Sequence, residues 1–292
     1  MQGTKFEIVD VFGERKFRGN QLAVFLNAGG LDGATMQQLA REMNFSESTF
    51  VLAEQPGEKG WPVRIFTPQA EVPFAGHPTL GTSWVLKHRL QAPGQALSLD
   101  LKAGSIPVRF ERDGEGELIW MTQNAPEFLR RVDPALVAET LTLDLDDLDA
   151  NFPVQEVSTG LPFLLVPLRS LDAAKRARIR GEAYDRLAAD GLGAIFLFCS
   201  ETEDPANQIH ARMFADSYGV PEDPATGSAN GCLAGYLVKH RCFDSPSIEL
   251  TVEQGVEMGR ASRLHLRAVE EQDTIQIQVG GRVFPVATGE LV

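Results

Sequence analysis

The sequence predicts an α+β chain of two pseudo-symmetric domains, each a curved, mostly antiparallel sheet wrapped around one central helix. Three observations predict it. The segment Arg64-Ile-Phe66 … Pro73-Phe-Ala-Gly76-His77-Pro-Thr-Leu-Gly81 is echoed by Arg212-Met-Phe214 … Asp223-Pro-Ala-Thr-Gly227-Ser228-Ala-Asn-Gly231. In both, an Arg-x-Phe strand leads through a loop to a Gly-polar pair and a small-residue helix. The step from Phe to Gly runs from 66 to 76 in the first copy and from 214 to 227 in the second. Second, most other segments are short alternating runs, the period of half-buried strands. Third, the helices that follow the repeated motif carry Gly81 and then Ala229, Gly231, Ala234 and Gly235. Small residues on every face fit a helix surrounded on all sides.

The elements follow in order. Strands are expected at Phe6–Val11 and Leu22–Leu26, flanking Arg18-Gly19-Asn20. Met36, Leu39, Ala40 and Met43 recur at helical spacing, with Asp32 as N-cap. Strands Phe50–Ala53 and Val63–Phe66 lead to a helix from about Pro78 to Lys87, with Pro78 at its first position. Strands near Leu97–Leu101, Ile106–Glu111 and Glu117–Thr122 follow. The stretch Pro126–Leu148 is read as the boundary region. The second half offers strands Gln155–Ser158 and Phe163–Val166, one helix from about Asp172 to Ala189, and strands Ala194–Ser200 and Ile209–Phe214. A helix from about Ala229 to His240 comes next, then strands Ile248–Val252, Arg263–Val269, Thr274–Val279 and Val283–Val286. The domains are expected at 1–125 plus 283–292, and at 126–282.

At 292 residues the length prior is about two domains. A net charge of −13 argues against a nucleic-acid surface, which needs clustered Lys and Arg. The acidic run Asp144–Asp149 is expected to be a solvated face or loop. The opening Met1-Gln-Gly-Thr-Lys-Phe-Glu-Ile-Val-Asp-Val-Phe reads as an alternating strand rather than a signal peptide. No apolar run reaches the ~18 residues of a membrane span. Three cysteines, Cys199, Cys232 and Cys242, have no metal spacing and suit a reducing cytoplasm.

Several chemistries lose support. Gly76-x-x-x-x-Gly81-Thr82-Ser83 resembles a phosphate loop without its Lys. No Gly-x-Gly-x-x-Gly follows a strand, and no Gly-x-Ser-x-Gly is present. The five histidines do not cluster as ligands, so no metal site is expected. Three residues remain. His77 lies between Gly76 and Pro78 at a helix start, where it is either a capping or core histidine or a ligand-facing one. Asp223, just before the second helix start, is either a turn or N-cap carboxylate or a functional one. Glu47, in Asn44-Phe-Ser46-Glu47-Ser48-Thr49-Phe50, is either a solvated corner charge or an acid/base turned inward, where desolvation would make it usable near neutrality.

These residues carry a resemblance that covers nearly the whole chain. The chain resembles PhzF-type proteins of phenazine biosynthesis, which share a fold with diaminopimelate epimerase. The matching segments include Val9-Asp-Val-Phe, Arg18-Gly-Asn20-Gln-Leu-Ala-Val, Ala40-Arg-Glu-Met-Asn-Phe-Ser46-Glu47-Ser-Thr-Phe-Val, Ile65-Phe-Thr-Pro, Pro73-Phe-Ala-Gly-His77-Pro, Glu222-Asp223-Pro-Ala-Thr-Gly227-Ser228-Ala and Gln254-Gly-Val-Glu-Met-Gly-Arg. The resemblance implies a ligand cleft between two domains, a last strand that returns to the first domain, and a homodimer that works without cofactor. It implies isomerisation of trans-2,3-dihydro-3-hydroxyanthranilate: a carboxylate takes a proton from one ring carbon, and another ring carbon receives one. By motif, Glu47 would be that acid/base. His77 and Asp223 would hold the amine and hydroxyl groups and assist the proton movement as catalytic residues, and Asn20, Ser46, Gly76, Gly227 and Ser228 would line the pocket. The two helix N-termini would hold the substrate carboxylate. Racemising relatives use two cysteines near the helix starts. None of the three cysteines stands there, which disfavours a two-thiol racemase. An isomerase or epimerase of another small acid, and a non-catalytic binding protein of this fold, are the alternatives.

Overall fold

The computed structural model describes residues 3–292; Met1 and Gln2, part of the stretch read as an opening strand, lie outside the described residues. In chain order the first elements are β1 (Lys5–Val11), β2 (Asn20–Phe25), α1 (Gly33–Met43), β3 (Glu47–Val51), β4 (Trp61–Phe66), β5 (Glu71–Val72), α2 (Gly76–Arg89), β6 (Ala96–Leu101), β7 (Gly104–Asp113) and β8 (Gly116–Gln123). Then come β9 (Glu127–Arg131), α3 (Pro134–Leu141), β10 (Gln155–Ser158), β11 (Pro162–Pro167), α4 (Leu171–Arg176) and α5 (Gly181–Ala189). The chain continues with β12 (Ile195–Cys199), β13 (Ile209–Ala215), β14 (Val220–Asp223), α6 (Gly227–Lys239), β15 (Ser247–Gln254), β16 (Ser262–Glu271), β17 (Thr274–Gly281) and β18 (Val283–Glu290).

The chain divides into two compact units, Met1–Thr122 with Gly280–Val292, and Gln123–Val279. Their strand pairings follow one scheme. In the first unit β1–β2 is antiparallel, β2–β3 parallel, β3–β4 and β4–β5 antiparallel, β4–β6 parallel and β6–β7 antiparallel. In the second, β10–β11, β11–β12, β12–β13, β13–β14, β13–β15 and β15–β16 repeat that series in the same order. The returning strand β18 runs antiparallel to β1, as β9 does to β10.

Each unit wraps its sheet around a helix. Every residue of α2 from Gly76 to Ser83 is buried, and so is every residue of α6 from Gly227 to Val238. Such burial has no room for side chains on the close faces. A Cβ on Gly81 would lie 2.6 Å from Leu22 and 2.8 Å from Val11, the side chains of β2 and β1. The first unit adds a satellite core in which Phe25 stacks on Phe50 at 4.8 Å and Phe50 meets Phe66 edge-on at 5.4 Å, beneath Met36 and Ala40 of α1. Asp32 caps α1 by accepting from the Thr35 N–H. The second unit packs α3, α4 and α5 over β11 and β12 through Val137, Leu141, Ala173, Leu187, Leu164 and Leu197.

The duplicated motif aligns residue by residue. Arg64 grips Glu71 with two bonds of 2.8 and 2.9 Å; Arg212 grips Glu222 with two of 2.8 and 3.0 Å. In the strand register Ile65 faces Val72, and Met213 faces Asp223. The longer second copy holds a 3-10 turn at Asp216–Tyr218, closed by Gly219 at φ 77°. After that turn the copies keep step: Glu71-Val-Pro-Phe-Ala-Gly76 against Glu222-Asp-Pro-Ala-Thr-Gly227.

Three expectations need correction. The single helix from Asp172 to Ala189 is two, because the backbone between them bonds elsewhere. Arg178 and Arg180 donate to Leu141 and Thr140, and the Ala177 carbonyl accepts from Arg212. Pro126–Leu148 lies inside the second unit, which begins at Gln123. It holds β9 and α3, the latter started by Asp133 as N-cap and Pro134. Pro78 stands third in α2 rather than first, since the helix begins at Gly76; the first turn still needs no intrahelical partner for its amides.

Candidate active site

The eight sequence-derived site residues fall into two groups. Asn20, Ser46, Glu47, Gly76 and His77 belong to the first unit, and Asp223, Gly227 and Ser228 to the second.

In the first group, β2 and β3 run parallel with Leu22 opposite Glu47, so the strand starts bring Asn20 and Glu47 to the same end. Glu47 is the first residue of β3 rather than part of a preceding corner, and its side chain is 19% exposed. Asn20, the first residue of β2, is buried, and Ser46 is half-buried. Gly76 and His77 open α2. His77 Nε2 lies 3.6 Å from Glu47 Oε2 and has no hydrogen-bond partner among the described residues. Burial pushes the imidazole down to about 3, against a hydrogen bond with the Gln21 backbone that works the other way. The ring is therefore neutral near pH 7, and its contact with Glu47 is not an ion pair. A bond that favours the cation is one the ring donates, here to the Gln21 carbonyl. With Nδ1 so used, Nε2 is left as the acceptor of the neutral tautomer. The buried Ser48 hydroxyl also lacks a partner among the described residues, while Thr49 and Thr82 hydroxyls bond at 2.8 Å between β3 and α2.

In the second group, Asp223 ends β14 and is 6% exposed. Thr226 Oγ1 donates to Asp223 Oδ2 at 2.5 Å. Gly227 opens α6 and Ser228 follows, both buried. Neither α2, N-capped by Ala75, nor α6, N-capped by Thr226, receives a side-chain cap. Uncapped first turns are the kind that bind anions. Sequence reasoning assigned no role to Gln254, although it quoted the segment that Gln254 opens. This buried amide donates to the Asp223 carbonyl at 2.8 Å and to Thr226 Oγ1 at 3.0 Å.

The copies differ where the chemistry would lie. Strand registers put Glu47 opposite the place held by Ala194 in the second copy, and Asn20 opposite that of Leu161. His77 answers to Ser228, and Asp223 to Val72. The frame is repeated and the polar groups are not.

Burial pushes the thiols of Cys199, Cys232 and Cys242 up to about 12, so none is a thiolate near neutrality. No helix among the described residues is long and apolar enough to cross a membrane, and no group of three or more His, Cys, Asp or Glu side chains among them is placed to hold a metal ion.

Comparison with known proteins agrees with this frame. The phenazine biosynthesis-like protein family, PhzC-PhzF, matches residues 9–289. An uncharacterized isomerase of Mesorhizobium japonicum is 34% identical over 100% of this chain and 99% of its own. The trans-2,3-dihydro-3-hydroxyanthranilate isomerase of Pseudomonas aeruginosa is 34% identical over 96% of this chain and 97% of its own. The crystal structure of a Bacillus anthracis PhzF-family protein superimposes with a TM-score of 0.92 at 30% identity, covering 100% of both chains. The chain belongs to the phenazine biosynthesis-like PhzC-PhzF family, and it is an isomerase.

Proposed function

We propose that the protein is a cofactor-independent isomerase that moves a proton on a small amino-carboxylate ring, with trans-2,3-dihydro-3-hydroxyanthranilate as substrate. The observation that carries this reading is the Glu47 carboxyl group 3.6 Å from a buried, neutral His77 at the start of an uncapped helix. Glu47, ionised, takes a proton from one ring carbon. The C–H electron pair moves into the ring π system, and a carbon further along takes up a proton. Nothing is gained or lost overall. The proton on Glu47 can face His77 Nε2 while the ring rearranges. His77 and Asp223 hold the substrate's amine and hydroxyl groups. Asn20, Ser46, Gly76, Gly227 and Ser228 line the pocket. Each helix N-terminus contributes about 0.3–1 kcal/mol towards a carboxylate, up to ~2 when partly buried. A positioned acid/base contributes about 10²–10⁴ in rate. The family resemblance supports a homodimer, which light scattering on the purified protein tests, and the unpaired cysteines support a reducing cytoplasm.

The second reading is isomerisation or epimerisation of another small acid. Its support is the equal identity, 34%, to the uncharacterized Mesorhizobium isomerase and to the Pseudomonas enzyme. Incubation with the named substrate in D2O decides. Consumption with deuterium at a ring carbon, abolished in Glu47→Gln with an unchanged circular dichroism spectrum, is the expected result. No consumption by the wild-type protein favours the second reading, and full activity in Glu47→Gln removes Glu47 from the chemistry.

A further inference from the structure

The two copies of the repeat act as each other's control. Where the second unit has Asp223, Thr226 and Gln254, the registers of β13–β14 and β13–β15 against β4–β5 and β4–β6 place Val72, Ala75 and Leu101 in the first. The first unit makes the same Glu-x-Pro-x-x-Gly entry into its central helix with three apolar side chains. The turn itself therefore does not require the polar set.

In the second unit these side chains form a directed chain. The Thr226 backbone N–H can only donate, and it meets Gln254 Oε1 at 3.1 Å; Asn230 Nδ2 meets the same oxygen at 3.0 Å. That fixes the amide orientation. Gln254 Nε2 must then donate to Thr226 Oγ1, at 3.0 Å, and to the Asp223 carbonyl, at 2.8 Å. Having accepted from Gln254, the Thr226 hydroxyl turns its own proton to Asp223 Oδ2, at 2.5 Å. Gln254 and Thr226 are both buried. The adjacent carboxylate, Glu222, is turned to Arg212 and takes no part. Gly255 lets the end of β15 come this close: its φ is +73°, and a Cβ there would stand 2.5 Å from the Pro224 carbonyl oxygen.

We propose that Thr226 and Gln254 are positioning residues that keep Asp223 ionised and aimed, through the one-way chain from the Gln254 amide to the Thr226 hydroxyl to the Asp223 carboxylate. A donor locked in this sense favours the charged carboxylate and bars its Oδ2 from donating. Asp223 then meets a substrate as an acceptor, suited to an ammonium or hydroxyl group. The inference rests on the reading of Asp223 as a site residue.

The test is a carboxyl-carbon NMR titration of protein labelled at aspartate, with the Asp223 signal assigned by its loss in Asp223→Asn. In Thr226→Val the Asp223 midpoint rises by about 1 pH unit or more, since a hydrogen bond to a charged group is worth ~1.5–3 kcal/mol. Thr226→Ser restores it, and Gln254→Leu moves it the same way by less. Thr226→Ala, the residue type of the first copy, serves if the valine variant does not fold. An Asp223 midpoint that is the same in wild type, Thr226→Val and Thr226→Ala overturns the proposal. Turnover is measured separately with trans-2,3-dihydro-3-hydroxyanthranilate. Wild-type turnover by Asp223→Asn would sink the site reading, while the titration would still judge the positioning chain.

Discussion

Two buried histidines behave in opposite ways because of what surrounds each ring. His77 is buried beside few compensating groups and falls to about 3. Burial alone would also lower His210, yet hydrogen bonds to Glu253 at 2.8 Å and Glu257 at 3.0 Å outweigh it and push the ring up to about 9. Glu253, despite its own burial, is held down to about 2 by His210, Asn207 and two backbone amides. The linkage signs differ accordingly. An unfolded histidine takes a proton near 6.5, so the His77 site removes stability as pH falls from 6.5 towards 3. The His210 site adds stability that is complete below 6.5 and is lost as pH rises to about 9. Glu253 adds stability that is present above 4.5 and is lost as pH falls towards 2. Imidazole NMR is expected to show no titration of His77 between pH 5 and 8, with His210 still protonated at pH 8. His210→Gln is expected to cost about 3–5 kcal/mol at pH 6, as when one member of a buried pair is removed. It should also flatten the alkaline fall in urea midpoint. At this scale the sequence marked Glu47, His77 and Asp223 but not Gln254 or Glu253. Their partners depend on strand register, and a residue's neighbours in the chain say nothing about register.

Helices and strands were legible where a local rule governs them. Asp32 as N-cap of α1 and the Asp133-Pro134 start of α3 are both local signals, though the second went unused inside a stretch read as a boundary. The split between α4 and α5 was not legible, because the groups that interrupt the helix come from α3 and Arg212. The short β5 and β14 were missed for a similar reason: two to four residues carry no period. The small residues of the central helices were read correctly as a sign of enclosure, and Gly81 gives that reading a test. Alanine in a helix interior is favoured over glycine by about 1 kcal/mol. Overpacking against Leu22 and Val11 at 2.6 and 2.8 Å costs about 1–3 kcal/mol. The steric effect wins, so Gly81→Ala is expected to lower the melting temperature, measured by circular dichroism. An unchanged or raised value would show that β1 and β2 yield more easily than their contacts suggest.

The two units differ in how the chain supplies them. The second, Gln123–Val279, is continuous and has its own core. Expressed alone, it is expected to unfold cooperatively and give a dispersed amide spectrum. A fragment ending at Thr122 lacks β18, leaving one edge of β1 unpaired over the seven positions from Lys5 to Val11. Open edges of that kind aggregate, so that fragment is expected to be found in the pellet, and sedimentation checks it. The duplication is what made the fold class legible, because it is visible as spelling. The exchange of the last strand is not, since β18 reads like any other alternating segment.

That exchange also makes the chain a candidate for rearrangement. The Gly3 N–H donates to the Leu291 carbonyl at 3.1 Å, and Lys5 stands across from Glu290. A short linker from Leu291 to Gly3, with new ends opened ahead of β18, would write the protein as β18-β1-β2 onward through β8, then β9-β10-β11 onward through β17. Each half would then be an unbroken copy of the same plan, and a single gene could be cut into two exchangeable modules at one point. Viewed so, the present order is a tandem repeat whose reading frame has been rotated by one strand.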